Sequence, residues 1–158
     1  MMTKKFKYLL ISVCFLSCTI SVYAQSTVYF FTPSTINNVC PITMNGDSIF
    51  NLRGPYKKTI NNAIISIPLD MYAAAYKKCV FKEEGKVIFV ANYKAQDPEK
   101  PGISEFLSEI QINLFEGSVH YIRLAAKGMY DMELKELTEK ESKKYFKKSV
   151  ELPEYIQE

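Results

Sequence analysis

From Glu109 to Phe115 the chain alternates strictly: Ile110, Ile112 and Leu114 take one side, and Glu109, Gln111 and Asn113 take the other. Successive side chains of a strand point to opposite faces, so this segment reads as a strand with one buried and one wet face. Residues 27–32, Thr-Val-Tyr-Phe-Phe-Thr, form a second run that is β-branched or aromatic throughout, and Pro33-Ser34 stops it. Further strand-like runs lie at residues 63–67, 86–93, 118–126 and 129–137. Turn residues separate these runs about every 10 positions, the rhythm of a sandwich or barrel rather than of alternating strands and helices.

Three pairs of runs read as β-hairpins. Pro41-Ile42-Thr43-Met44 and Asp47-Ser48-Ile49-Phe50 flank Asn45-Gly46, a dipeptide that tolerates the positive φ angles of a type I′ turn. Cys79-Val80-Phe81 and residues 86–93 flank Glu83-Glu84-Gly85, and residues 109–115 and 118–126 flank Glu116-Gly117. Residues 69–78 suit helix or strand, and residues 94–104, with Pro98, Pro101 and Gly102, read as a polar loop. Thr138-Glu139-Lys140-Glu141 has the form of a capping box and predicts a short C-terminal helix over about 139–149. Its lysines 143, 144, 147 and 148 suit the negative end of the helix dipole and read as a solvated face.

With 11 Tyr, 10 Phe and 47% hydrophobic residues, the chain is too apolar for disorder and suits strands. The expected fold is mainly β: a single antiparallel β-sandwich, or partly closed barrel, with a short C-terminal helix, forming one domain over residues 25–158.

Residues 1–24 read differently. Lys4, Lys5 and Lys7 precede an apolar run, and Val22 and Ala24 fill the two small-residue positions before Gln25. That is the order of a secretory signal peptide, cleaved between Ala24 and Gln25, and it predicts a periplasmic or secreted protein. The run of about 13 residues is shorter than the roughly 20 that an α-helix needs to cross a bilayer, and no transmembrane span is expected in the mature chain. Phe15-Leu16-Ser17-Cys18 offers the alternative of a lipoprotein anchored through Cys18.

Cleavage changes the charge. The whole chain has 20 Lys and Arg against 17 Asp and Glu, and the leader holds three lysines and no acid, so the mature chain is formally neutral. A neutral domain lacks the basic surface that displaces counterions from phosphates, which argues against nucleic acid as a partner. Cleavage also leaves two cysteines, Cys40 and Cys79, as a candidate disulfide in an oxidising compartment, with two buried thiols as the alternative.

Chemistry-bearing clusters are few. His120 is the only histidine, so a hydrolase would run through it, with Ser118 two residues away on the same strand face as the nucleophile. A triad also needs a positioned carboxylate and an oxyanion hole, which this spacing does not supply. Zinc on His120, Cys40 and Cys79 would lack any closely spaced ligand pair. Asn45, Asp47 and Asn51 are too sparse for a calcium loop. No cofactor is implied. A candidate ligand patch is Arg53, Tyr56, Tyr121 and Arg123, whose aromatic and guanidinium groups suit a sugar or peptide. The reading is an exported, non-catalytic module with a structural or binding role in the bacterial envelope, its partner a protein, peptide or glycan; the alternative is a secreted hydrolase using Ser118 and His120.

Four segments occur in an order that resembles a bacterial family of exported proteins and lipoproteins, domain of unknown function 2846. They are residues 26–34, the Asn45-Gly46 hairpin, Leu52-Arg53-Gly54-Pro55-Tyr56, and residues 117–124. The resemblance covers roughly residues 26–137 and implies a small exported β-sandwich. It assigns no catalytic residue.

Overall fold

The computed structural model describes residues 25–33, 40–52, 56–60, 63–67, 74–96, 103–127 and 132–158. The expected leader, including Cys18 and Ala24, lies outside the described residues, as do Arg53 and residues 97–102 of the expected loop. Two sheets face each other. Strand β1 (Ser26–Thr32) is the centre of a five-stranded sheet, ordered β10 (Met132–Leu137), β9 (Val119–Ala126), β1, β6 (Ala74–Phe81), β11 (Ser149–Ile156). The second sheet is ordered β3 (Asp47–Asn51), β2 (Pro41–Met44), β7 (Gly85–Gln96), β8 (Ile103–Leu114). Strands β4 (Tyr56–Ile60) and β5 (Ala63–Ile67) pair as a separate ribbon, and helix α1 (Glu139–Phe146) packs on the outer face of the five-stranded sheet.

Alternation along each strand builds the core. Val28, Phe30, Cys79, Phe81, Ile122 and Leu124 project from one sheet, and Ile42, Met44, Val87, Phe89, Ile112 and Leu114 from the other, all buried in one cluster. Phe89 joins the layers, with its ring centre 5.2 Å from that of Phe30 and 5.4 Å from that of Phe81. On one flank the sheets also meet through a polar contact: the Leu134 N–H of edge strand β10 donates to Ser108 Oγ of edge strand β8 at 2.7 Å. The sandwich is thus fastened on that side but not closed into a barrel.

The first hairpin forms as expected. Asn45 has φ 52° and Gly46 has φ 97°. The Asn45 side chain extends the ladder, since its carbonyl accepts from Ile88 N at 2.9 Å and its amide donates to Glu83 at 3.1 Å. Asn45 is therefore committed to the β2–β7 pairing rather than to a cation.

The other two expected hairpins are arches. β6 and β7 lie in different sheets, as do β8 and β9. A reversing turn serves either purpose. With Phe81 and Val87, or Leu114 and Ile122, facing one core from opposite layers, an arch buries the same alternate residues as a hairpin. The long antiparallel partner of β7 is β8. The sheet is also mixed rather than antiparallel throughout, because β1 pairs in parallel with β9 and β6 in parallel with β11.

The helix stops at Phe146, and the last element is strand β11 rather than more helix. Within β11 the register slips between Leu152 and Tyr155, at Pro153. Proline has no N–H for a ladder and is tolerated at an edge bulge. Lys77 answers the slip from the inner face of β6: its ammonium donates to the Pro153 carbonyl at 2.6 Å and lies 5.5 Å from the Phe50 ring centre. Burial pulls the Lys77 ammonium below its usual basicity.

Cys40 and Cys79 are free, buried thiols, so of the two alternatives the candidate disulfide is the one not formed. Cys40 continues the β2–β3 ladder, its carbonyl accepting from Leu52 N, whereas Cys79 lies in β6 of the opposite sheet. Stacked sheets are about 10 Å apart, beyond the roughly 7 Å Cα separation that a disulfide spans. Burial pushes the Cys40 thiol up to about 12 and the Cys79 thiol higher still.

Candidate functional site: a cavity at the foot of the helix

The capping box starts the helix as its sequence requires. Thr138 Oγ1 accepts from Glu141 N at 3.3 Å while Glu141 Oε2 accepts from Thr138 N at 2.9 Å. The Thr138 N–H and the Thr138 hydroxyl, which donates to Glu141 Oε2 at 2.8 Å, hold the Glu141 carboxyl below its ordinary range, aided by Lys135 and Lys144. The helix carries an inward stripe at i, i+3, i+4: Ser142, Tyr145 and Phe146. Ser142 is fully buried. Phe146 meets Phe31 and Tyr76 edge-on, each at 4.9 Å, Tyr29 at 5.1 Å and Tyr121 at 6.1 Å. One aromatic side chain therefore anchors the helix over strands β9, β1 and β6.

Where the chain leaves the helix and enters β11, a cavity of about 170 Å³ lies between Tyr145 and the sheet. Phe31, Ala74 and Arg123 of the sheet and Tyr145 of the helix form its walls, with Thr32, Pro33, Lys148 and Ser149 completing the lining. The Arg123 guanidinium lies over the Tyr145 ring, 4.7 Å from its centre, within cation–π distance. The lining is mainly apolar, contains two cations and contains no acid.

Among the described residues of the expected patch, Arg123 reaches this cavity and Tyr121 does not. Tyr121, two residues earlier on the same face, is stacked on Tyr29 at 5.5 Å with the rings 10° apart. It is covered by the helix, and burial first, then Glu139, raises its phenol above the ordinary value. Arg53 and the Tyr56 side chain lie outside the described residues. Tyr145 and Phe31 were not singled out as site residues by the sequence, and Lys148 was read only as part of a solvated lysine face. The signal for Tyr145 was the 142, 145, 146 spacing, an apolar stripe hidden in a helix read as solvated.

The Ser118 and His120 pair is only partly assembled. His120 Nδ1 lies 2.7 Å from Glu136 Oε1, so the lone histidine does have a carboxylate. Its Nε2 is buried and has no hydrogen-bond partner, hence no contact with a seryl hydroxyl. Ser118 instead closes a turn. Its N–H donates to the Phe115 carbonyl at 2.9 Å, its Oγ accepts from Phe115 N at 3.2 Å, and Gly117 supplies φ 72°. The acid and the imidazole of a relay are adjacent, and the nucleophile is turned elsewhere.

Among the described residues no group of three His, Cys, Asp or Glu side chains is placed to hold a metal, and no helix is long and apolar enough to cross a membrane. No family model, curated protein or solved structure matches this chain.

Proposed function

We propose that this protein is an exported, non-catalytic β-sandwich of the bacterial envelope whose role is to bind, with the Arg123 cavity as its site. The observation that carries this reading is the guanidinium over an aromatic ring: Arg123 lies over Tyr145 at the wall of a concave, mostly apolar space. Pockets that bind ligands combine apolar walls with a few placed polar groups, and this cavity has both. Export rests on the leader pattern before Gln25, with cleavage there or lipidation of Cys18 as its two forms, and kinship with domain of unknown function 2846 rests on the four ordered segments. The partner class is a protein, peptide or glycan.

A glycan and peptide array tests the binding role. Hits above background with the wild-type protein support it, and no enrichment over background leaves a purely structural module. A second reading, a hydrolase using Ser118 and His120, draws its support from the Glu136 carboxylate beside His120. It requires Ser118 to leave its bond with Phe115 and reach Nε2.

A further inference from the structure

Taking the Arg123 cavity as a binding site, as the reading above does, we infer that its ligand is a small organic carboxylate: one carboxyl group on an apolar body of about benzene size.

Volume sets the body. A dry apolar cavity of about 150 Å³ holds benzene, while pockets for larger ligands run from about 300 Å³. At about 170 Å³ and open to solvent on one side, with Phe31, Ala74 and Tyr145 in the walls, this cavity seats one ring or an aliphatic chain of similar bulk against the protein.

Charge sets the head group. Arg123 and Lys148 both line the cavity. In the β9–β10 register Arg123 sits directly opposite Lys135. The strand residue opposite Arg123 is therefore another cation and gives it no counter-ion. Of the acids nearby, two are engaged elsewhere and the third stands diagonal to Arg123 without pairing with it. Glu141 closes the capping box, Glu139 pairs with Lys143 at 3.1 Å, and Glu133 is opposite Ala125, one row away on the same face. Among the described residues no ion pair joins Glu133 to Arg123.

Geometry favours a carboxylate. The Arg123 guanidinium, a planar fork of N–H donors, is held 4.7 Å from the Tyr145 ring centre and, among the described residues, makes no ion pair. A carboxylate matches that fork with two parallel hydrogen bonds, and Lys148 adds a point charge.

The test is an amide-resolved NMR titration of the protein, as processed by the expressing cell, with benzoate and with the neutral isostere benzyl alcohol. Benzoate is expected to give saturable shifts at Phe31, Ala74, Tyr145 and Ser149, at least tenfold tighter than benzyl alcohol. Arg123→Gln is expected to lose at least tenfold in benzoate affinity with the core resonances of Phe30 and Phe89 unmoved. Equal affinity for the two probes, no saturation by about 10 mM benzoate, or full affinity in Arg123→Gln would overturn the assignment. If Arg123→Gln does not fold, the comparison of the two probes on wild-type protein decides alone. Array hits that disappear with Arg123→Ala, without benzoate binding, would sink the carboxylate and leave the site standing.

Discussion

The Arg123 guanidinium lies 4.7 Å from the centre of the Tyr145 ring, so strand β9 and the last turn of helix α1 are tied at the wall of the cavity. The position of the helix and the shape of the site are therefore one problem. What holds the helix down is Phe146, through four aromatic neighbours on three strands.

Phe146→Ala should destabilise the protein by about 2–4 kcal/mol, toward the low side of buried Phe truncations because the side chain is half-buried. Denaturant unfolding measures the loss. The cavity should go with the helix, so amides of Tyr145 and Ser149 should shift even where the core resonances hold.

Thr138→Ala removes the hydroxyl that caps the helix and should cost about 1 kcal/mol. The partner carboxyl adds a pH dependence. Because Glu141 is held below its ordinary value, its contribution is complete above the unfolded-state value near 4.5 and is lost as pH falls through the folded one. Denaturation midpoints of wild type and Glu141→Gln, followed from neutral pH downward, should therefore converge in acid.

Ser108→Ala leaves the Leu134 N–H without its acceptor where the two sheets meet, and should cost about 1–3 kcal/mol. Hydrogen exchange locates the effect. The Leu134 amide should lose protection in the variant, while that of Ile122, in the interior of the sheet, retains it.

Both thiols should resist reagents in the folded state. The Cys40 thiol is pushed up to about 12 and the Cys79 thiol further, so little thiolate exists at pH 8. A thiol-reactive dye should label neither in native protein and both in denaturant, and the intact mass should be the same with and without reductant. A two-dalton gain on reduction would place a disulfide where the fold has free cysteines.

Much of this architecture is legible in local pattern. The alternation from Glu109 to Leu114, the Asn45-Gly46 turn and the Thr138 cap each follow from contacts within a few residues, and each forms as its sequence requires. Pairing across the sandwich is not local. Glu83-Glu84-Gly85 and Glu116-Gly117 reverse the chain whether the next strand joins the same sheet or the facing one, so the arches read as hairpins. Strand β11 was hidden by Pro153, which weakens a strand pattern; Lys77, 76 positions earlier, supplies the donor to the proline carbonyl. The site shows the same limit: Arg123 stood out by its residue type, but the cavity depends on where Tyr145 lands after the helix docks.

The central claim is that the working site is the Arg123 cavity rather than the His120 strand face, and one paired comparison tests it most directly. Arg123→Ala and His120→Gln are run beside wild type on the glycan and peptide array, with turnover of a panel of esters and peptides measured on the same samples. The account predicts hits that vanish with Arg123→Ala, persist with His120→Gln, and no turnover in any sample. Turnover by wild type that disappears in His120→Gln, or hits indifferent to Arg123, would contradict it.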